Sequence, residues 1–175
     1  MRKLLLLRHA KSSWDDTSLD DHDRPLAARG RRATVAIAGH LAALGRPPDL
    51  VLCSTARRTV ETWKRIAPAL GPGGAVELDE RIYAAGAVQL LRRLREVGDE
   101  SSRVLLIGHN PAIEDLTLTL VGSGDTRLRR RVAKKYPTGA LATMCFDGTW
   151  ADLRGGAGEL TAFVRPKDLE RAEGA

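Results

Sequence analysis

The chain has 175 residues, 43% of them hydrophobic and only 4% aromatic, with 28 Lys and Arg against 22 Asp and Glu for a net charge of +6. That length suits one domain with a substantial core and is too short for two comfortable ones, so a single domain over 1–175 is expected. The hydrophobic fraction excludes general disorder, and no apolar run, Leu4 to Leu7 included, approaches the ~20 residues of a membrane span, so a soluble chain with no membrane partner is expected.

The N-terminus reaches Arg8 too soon for a signal peptide, and no small-residue cleavage site follows. A cytoplasmic location is therefore expected. Cys53 and Cys145 form neither a spaced metal motif nor a disulfide framework and read as reduced core residues, with no metal or cofactor implied.

In chain order, Leu4 to Leu7 is short and wholly apolar, as a central strand of a parallel sheet is. It breaks abruptly into Arg8 and His9. Ligands of such sheets sit beyond the carboxyl ends of strands, so these two residues occupy the usual position for chemistry. The loop Ala10 to Ser13 can turn backbone N–H groups toward an anion. An acidic and then basic stretch follows, and Leu26, Val35, Ile37, Leu41 and Leu44 predict a helix that ends near Gly45, before Arg46-Pro-Pro-Asp49. His40, alone within it, reads as structural.

Asp49 to Cys53 is a second apolar run, again ending in polar residues, and a helix is expected from about Arg57 to Leu70. Arg58 and Thr62, four apart, share a face of its first turns, where helix N–H groups favour anions. Spacing alone does not choose between Arg57 and Arg58 as the inward residue. Ala75 to Leu78 is a third strand, Asp79 to Tyr83 a loop, and Ala87 to Val97 a helix with Val88, Leu91 and Leu94 at helical spacing. Arg103 to Ile107 is the fourth apolar run. Gly108-His109-Asn-Pro111 then repeats the arrangement after the first strand, and Pro111 suits the start of a helix to about Val121 with Ile113, Leu116 and Leu120 inward.

Gly122-Ser-Gly-Asp-Thr126 reads as a turn into the basic block Arg127 to Lys135. That block lacks interleaved aromatic residues and any nucleic-acid-binding motif, so a solvated face is expected and no nucleic acid partner. Ala140 to Phe146 is a strand with a hairpin signal at Asp147-Gly148, Trp150 is expected to open another short strand, and Glu159 to Val164 a last one. Residues 166–175 are expected to be a loosely ordered tail. The whole predicts an α/β sandwich of three layers, a mainly parallel sheet flanked by helices, with antiparallel strands near the C-terminus.

Arg8, His9, Arg58 and His109 thus all follow strands, and parallel neighbours would bring them to one edge. Two arginines and two histidines suit a phosphoryl group. Guanidinium pairs with phosphate through parallel charge-assisted hydrogen bonds, and a neutral imidazole can attack phosphorus. Without a divalent ion, the transferring group must be stabilised by arginines, the second histidine and backbone donors. An attacking imidazole must be unprotonated, whereas one held against the anion would serve better protonated, a pairing that predicts a bell-shaped rate profile.

These motifs resemble the histidine phosphatase superfamily (phosphoglycerate mutase-like), and specifically its short SixA-like phosphohistidine phosphatase branch. Arg8-His9-Ala10 corresponds to the Arg-His-Gly signature, with alanine in place of glycine. Ser54-Thr-Ala-Arg-Arg-Thr-Val-Glu-Thr62 resembles S-P-x-x-R-A-x-Q-T, departing at Thr55, Thr59 and Glu61, and this alignment selects Arg58. Gly108-His109-Asn-Pro resembles the second-histidine motif, and Asp23-Arg-Pro-Leu26 with Arg29-Gly30 resembles the SixA-like branch.

The resemblance implies a phosphoglycerate mutase-like fold and a metal-independent phosphatase with His9 as nucleophile, transiently phosphorylated, and with Arg8, Arg58 and His109 on the phosphoryl oxygens. Glu80, in Leu78-Asp-Glu-Arg-Ile-Tyr83, resembles the acid-bearing Leu-Asn-Glu-Arg-x-Tyr of the mutase branch and is the favoured general acid, with Asp79 and Asp15 as alternatives. Ser12 is a further candidate for a phosphate hydrogen bond. The expected partner is a phosphorylated small molecule or a phosphohistidine-bearing protein. A phosphate-binding module without turnover and a phosphoglycerate mutase remain as alternative readings.

Overall fold

In the computed structural model, which describes residues 1–173, seven strands form one sheet. The strands are β1 (Arg2–Arg8), β2 (Leu50–Ser54), β3 (Ala75–Asp79), β4 (Arg103–Gly108), β5 (Val121–Gly124), β6 (Leu141–Phe146) and β7 (Gly158–Val164). The helices are α1 (Ala28–Ala43), α2 (Arg57–Ile66), α3 (Ala87–Arg95), α4 (Ala112–Leu120), α5 (Thr126–Lys134) and α6 (Pro166–Glu173).

Strand order is β3-β2-β4-β1-β6-β7-β5, with β3, β2, β4 and β1 mutually parallel and β6 running against both β1 and β7. β1 and β4 are each apolar at four consecutive positions because both faces of the sheet are covered. Leu4 and Leu6 face the layer of α3, α4 and α5, packing with Leu94, Leu116, Leu120 and Val132. Leu5 and Leu7 face α1 and α2, packing with Ile37, Leu41 and Ile66. The expected three-layer α/β architecture is the one observed.

Register does the rest. Arg8 lies opposite Gly108, Ser54 opposite Asp79, and Cys53 opposite Ile107, so β1, β4, β2 and β3 stop along one edge. Four chain segments leave that edge in the same direction, carrying His9, His109, Arg58 and Glu80.

Four local expectations differ from the structure. Residues 166–173, expected to be a loose tail, form α6, which packs on α1; Pro166 opens it, and Asp168 accepts hydrogen bonds from Arg165 (2.7 and 2.9 Å) and Arg131 (2.6 Å). The remaining two residues of the expected tail lie outside the described residues. Trp150 opens no strand: it is a fully buried plug in a turn, its indole N–H donating to the Ser101 carbonyl at 2.6 Å and its ring edge-on to Phe146.

The glycines of 122–124 mark not a turn but β5, an edge strand pairing with β7. A Cβ on Gly122 would come within 1.8 Å of the Gly156 carbonyl oxygen, and one on Gly124, at φ +108°, within 2.5 Å of the Leu160 carbonyl oxygen. Both are glycines of close backbone approach, which in sequence look the same as turn glycines. Finally, Val35 (72% exposed) and Val88 (61% exposed) lie on the outer faces of their helices, and alanines take their expected places in the core: Ala33, Ala36 and Ala38 of α1 are buried.

Candidate active site

β1 delivers His9 to the sheet edge and the backbone pins it there. The His9 N–H donates to the Gly108 carbonyl at 3.1 Å, and the Gly139 N–H donates to the carbonyls of Arg8 and His9 at 3.1 and 3.0 Å. The ring is 7% exposed, and Nδ1 lies 2.7 Å from the Ala10 carbonyl oxygen. A carbonyl only accepts, so Nδ1 carries the proton and Nε2 keeps its lone pair. Burial drives the imidazole pKa down to about 3; the Ala10 hydrogen bond opposes this, and His109, Arg58 and Arg8 add to it. His9 is therefore a neutral, orientated base with one fixed tautomer. Thr62, on α2, accepts the Ala10 N–H at 3.1 Å while donating to the Arg58 carbonyl, which ties the loop after His9 to the helix that bears Arg58.

Arg58, and not Arg57, is the inward residue. Arg57 is exposed and pairs with Glu61 at 2.8 Å. Arg58 is 6% exposed; it donates to the Asp21 carbonyl, to the Asp21 carboxylate at 2.9 Å, and weakly to His109 Nδ1 at 3.4 Å. A guanidinium only donates, so His109 Nδ1 is the acceptor and its Nε2–H donates to Ser54 Oγ at 2.8 Å. The two imidazole centroids are 5.2 Å apart. Arg8 is half-buried, donates to the Tyr136 carbonyl at 2.7 Å, and leaves its Nε without a partner among the described residues. Arg58 thus reaches His109, the His109 ring lies beside that of His9, and the charges of Arg8 and Arg58 bear on both imidazoles.

Burial, reinforced by Arg58, takes the His109 pKa down to about 4, so both imidazoles are neutral in the free protein. Two histidines of opposite protonation require a bound anion, whose charge would raise His109. Stability should respond. A folded-state pKa below the unfolded ~6.5 means that the unfolded chain binds more protons in between, so stability falls as pH drops from about 6.5 toward 4. Asp21 and Asp79, held near 2, add their losses only below about 4. Urea midpoints measured between pH 7 and pH 4.5 should decline, and the decline should shrink in His9→Ala.

Ser12 is buried, and its hydroxyl accepts from Arg24 at 2.8 Å, so the observed contact is to an arginine of the pocket wall. Glu80 stands exposed in the short helical turn after β3, its carboxylate making no hydrogen bond among the described residues. Asp79 is committed elsewhere, to Arg93 at 2.6 Å and Arg81 at 2.8 Å, and Asp15 is exposed with no carboxylate contact among the described residues.

Sequence reading missed a second shell of partners. Asp21 accepts from Arg24 (2.9 Å), Tyr83 (2.9 Å) and Arg58; these bonds overcome burial, which acts the other way, and hold its pKa down to about 2. His22 reaches Thr55 at 3.1 Å and meets the Tyr83 ring edge-on. Tyr83 in turn stands edge-on to His109. The only signal in the sequence was the Asp23-Arg-Pro-Leu26 motif, two residues away from Asp21.

The site as a whole offers an unprotonated imidazole nitrogen beside two guanidiniums and a second imidazole, an arrangement matched to a tetrahedral oxyanion open to in-line attack. Among the described residues no group of three or more His, Cys, Asp or Glu is placed to hold a metal ion, and no helix is long and apolar enough to cross a membrane.

Comparison with known proteins bears on family and fold. The family model described as the histidine phosphatase superfamily, branch 1, matches residues 4–85. An uncharacterised protein of Mycobacterium tuberculosis is 34% identical over 163 residues, covering 92% of this chain and 100% of the relative. Two solved structures assigned as the phosphohistidine phosphatase SixA are similar throughout. That of Nakamurella multipartitia has a TM-score of 0.80 at 29% identity, covering 94% of this chain and 96% of the other. That of Agrobacterium tumefaciens has a TM-score of 0.80 at 27% identity, covering 94% and 98%.

Proposed function

Because the chain belongs to the histidine phosphatase superfamily, in its SixA-like branch, we propose that this phosphatase works through a covalent phosphohistidine on His9, cleaving a phosphomonoester or a protein phosphohistidine. The observation that carries the reading is the lock between His9 Nδ1 and the Ala10 carbonyl, which leaves Nε2 as the ring nitrogen with a free lone pair, in a ring on which the charges of Arg8 and Arg58 bear.

In the first step Nε2 forms a bond to phosphorus as the bond from phosphorus to the leaving group breaks in line. Arg8, Arg58 and His109 take up the charge on the three peripheral oxygens. Asp21 must share or yield Arg58 to the incoming dianion. Arg24 and Tyr83 supply that exposed carboxylate with other hydrogen bonds, so the exchange leaves it partnered. Glu80 gives its proton to the departing oxygen. Water then attacks the phosphoenzyme, Glu80 receives the water's proton, and phosphate leaves with Nε2 restored. Glu80 emerges from the same sheet edge as the other three segments, and its unpaired carboxylate is available for this duty.

Rapid quenching during turnover of an aryl phosphate should trap phosphate that is labile to acid and stable to alkali, on His9. Steady-state turnover with no such intermediate would exclude the mechanism. Glu80→Gln should separate leaving groups: turnover of an alkyl phosphate should fall about 10²-fold, and that of a phosphohistidine peptide by no more than about threefold. A departing imidazole can carry a proton on its other ring nitrogen and needs less help. Equal losses on the two substrates would remove Glu80 from the acid role.

A further inference from the structure

Arg8 also lines a cavity of about 470 Å³ whose lining includes none of His9, Arg58 and His109. Six cations line it, Arg8, Lys11, Arg29, Lys135, Arg165 and Lys167, against a single carboxylate, Glu170. They come from four separate parts of the chain: the end of β1 and its loop, the first turn of α1, the segment after α5, and the start of α6. Arg165 is paired with Asp168 at 2.7 Å. Among the described residues the other five have no ion pair, and Arg8 has a buried Nε with no hydrogen-bond partner. Six cations against Glu170 in the lining and Asp168 on Arg165 leave an excess of positive charge in a concave site, which favours an anion there. The first turns of α1 and α6 also border the cavity, adding the partial positive charge of their N–H groups.

Arg8 belongs to both places. Its charge bears on His9 and His109, and its side chain lines the cavity. One molecule can therefore present a phosphate to His9 and a second anion to the basic cavity, bridged by one guanidinium. We propose that the cavity is a subsite for a second phosphate of the same substrate, and that the preferred substrates are small molecules carrying two or more phosphates. This rests on the phosphatase reading above and narrows it. The cavity has the volume of small-ligand sites, ~300–1,000 Å³. Its uncharged lining, Ala33, Pro137, Thr138 and Pro166, contains no aromatic ring for a nucleobase, so a compact polyol or sugar skeleton is the simpler fit. Nor does it offer an aromatic anchor of the kind that dominates protein–protein contacts.

The test uses fructose 6-phosphate and fructose 1,6-bisphosphate with the full chain and with the triple variant Arg29→Ala/Lys135→Ala/Lys167→Ala. The wild type should favour the bisphosphate in kcat/KM by about tenfold or more, and the variant should bring that ratio close to unity through KM, with the monophosphate as internal reference. A wild-type ratio near unity, or the same ratio in both proteins, overturns the subsite. Should neither sugar phosphate be turned over, calorimetric titration still decides: tighter bisphosphate binding that the variant loses supports the subsite, and equal binding of the two ligands overturns it. Absence of turnover with every phosphoester, by contrast, counts against the phosphatase reading alone. If the triple variant raises KM for a phosphohistidine-bearing protein and leaves the sugar ratio untouched, the cavity is a protein-docking face and the small-molecule proposal is wrong.

Discussion

Replacing His9 with alanine is expected to lower turnover of an aryl phosphate by at least about 10³-fold, since loss of a covalent nucleophile removes the reaction path rather than one interaction along it. What remains is phosphate binding by Arg8, Arg58 and His109, so the variant should still bind inorganic phosphate. Folding should survive. The His9 backbone bonds to Gly108 and Gly139 do not involve the ring, and the buried imidazole is kept neutral at a cost whenever the pH lies below its unfolded value. Near pH 5 the variant should therefore be no less acid-resistant than the wild type by urea denaturation. The vacated ring site gives a second readout: added imidazole should restore a measurable fraction of turnover, because the guanidiniums and His109 that orient phosphorus are still in place. Retention of more than about a tenth of wild-type turnover without imidazole would end the case for His9 as nucleophile.

How much of this was visible in the chain follows from which interactions leave a pattern. A strand buried on both faces must be apolar at every position, so Leu4 to Leu7, Leu50 to Cys53 and Val104 to Ile107 identified themselves, and parallel register then fixed where Arg8, His9 and His109 would meet. Helical spacing identified α1 but not its phase: Val35 fits the pattern and faces outward, and alanines that carry little hydrophobic signal fill the core. β5 was hidden because a glycine needed for close approach is indistinguishable from one needed for a turn. The tail was hidden because α6 is held by ion pairs from Arg131 and Arg165 to Asp168, one of them 37 positions away in sequence.

The Asp21 hub had the weakest signal of all. It is a loop carboxylate gathering donors from positions 24, 58 and 83, and loops have no period to betray such convergence. The protonation of free His109 has no signal in the sequence either: a protonated imidazole against an anion can be argued from residue types, but burial and the neighbouring Arg58 charge belong to the packed structure.

That neighbour is also the most discriminating residue to change. Arg58→Ala should reduce kcat/KM by about 10² to 10³-fold, the range seen when a preorganised charged donor to a developing oxyanion is removed. Arg57→Ala, next to it in sequence but exposed and paired with Glu61, should change kcat/KM by less than about twofold. Arg58→Lys should recover less than about tenfold of the loss, because an ammonium is a point charge and cannot present two parallel N–H groups to two phosphoryl oxygens. A titration separates this from a merely structural effect. Burial comes first in depressing both imidazoles, but Arg58 is the next cause for His109 and a lesser one for His9, so in Arg58→Ala the His109 imidazole should titrate above 4 and His9 should move less. Histidine ring signals followed by NMR from pH 3 to pH 8, about the ordinary imidazole range, would show the two moving unequally. If instead both rings shifted together, the loss of activity would reflect collapse of the pocket, and Arg58 would be a structural support for the loop bearing Asp21 rather than a ligand of the phosphoryl group.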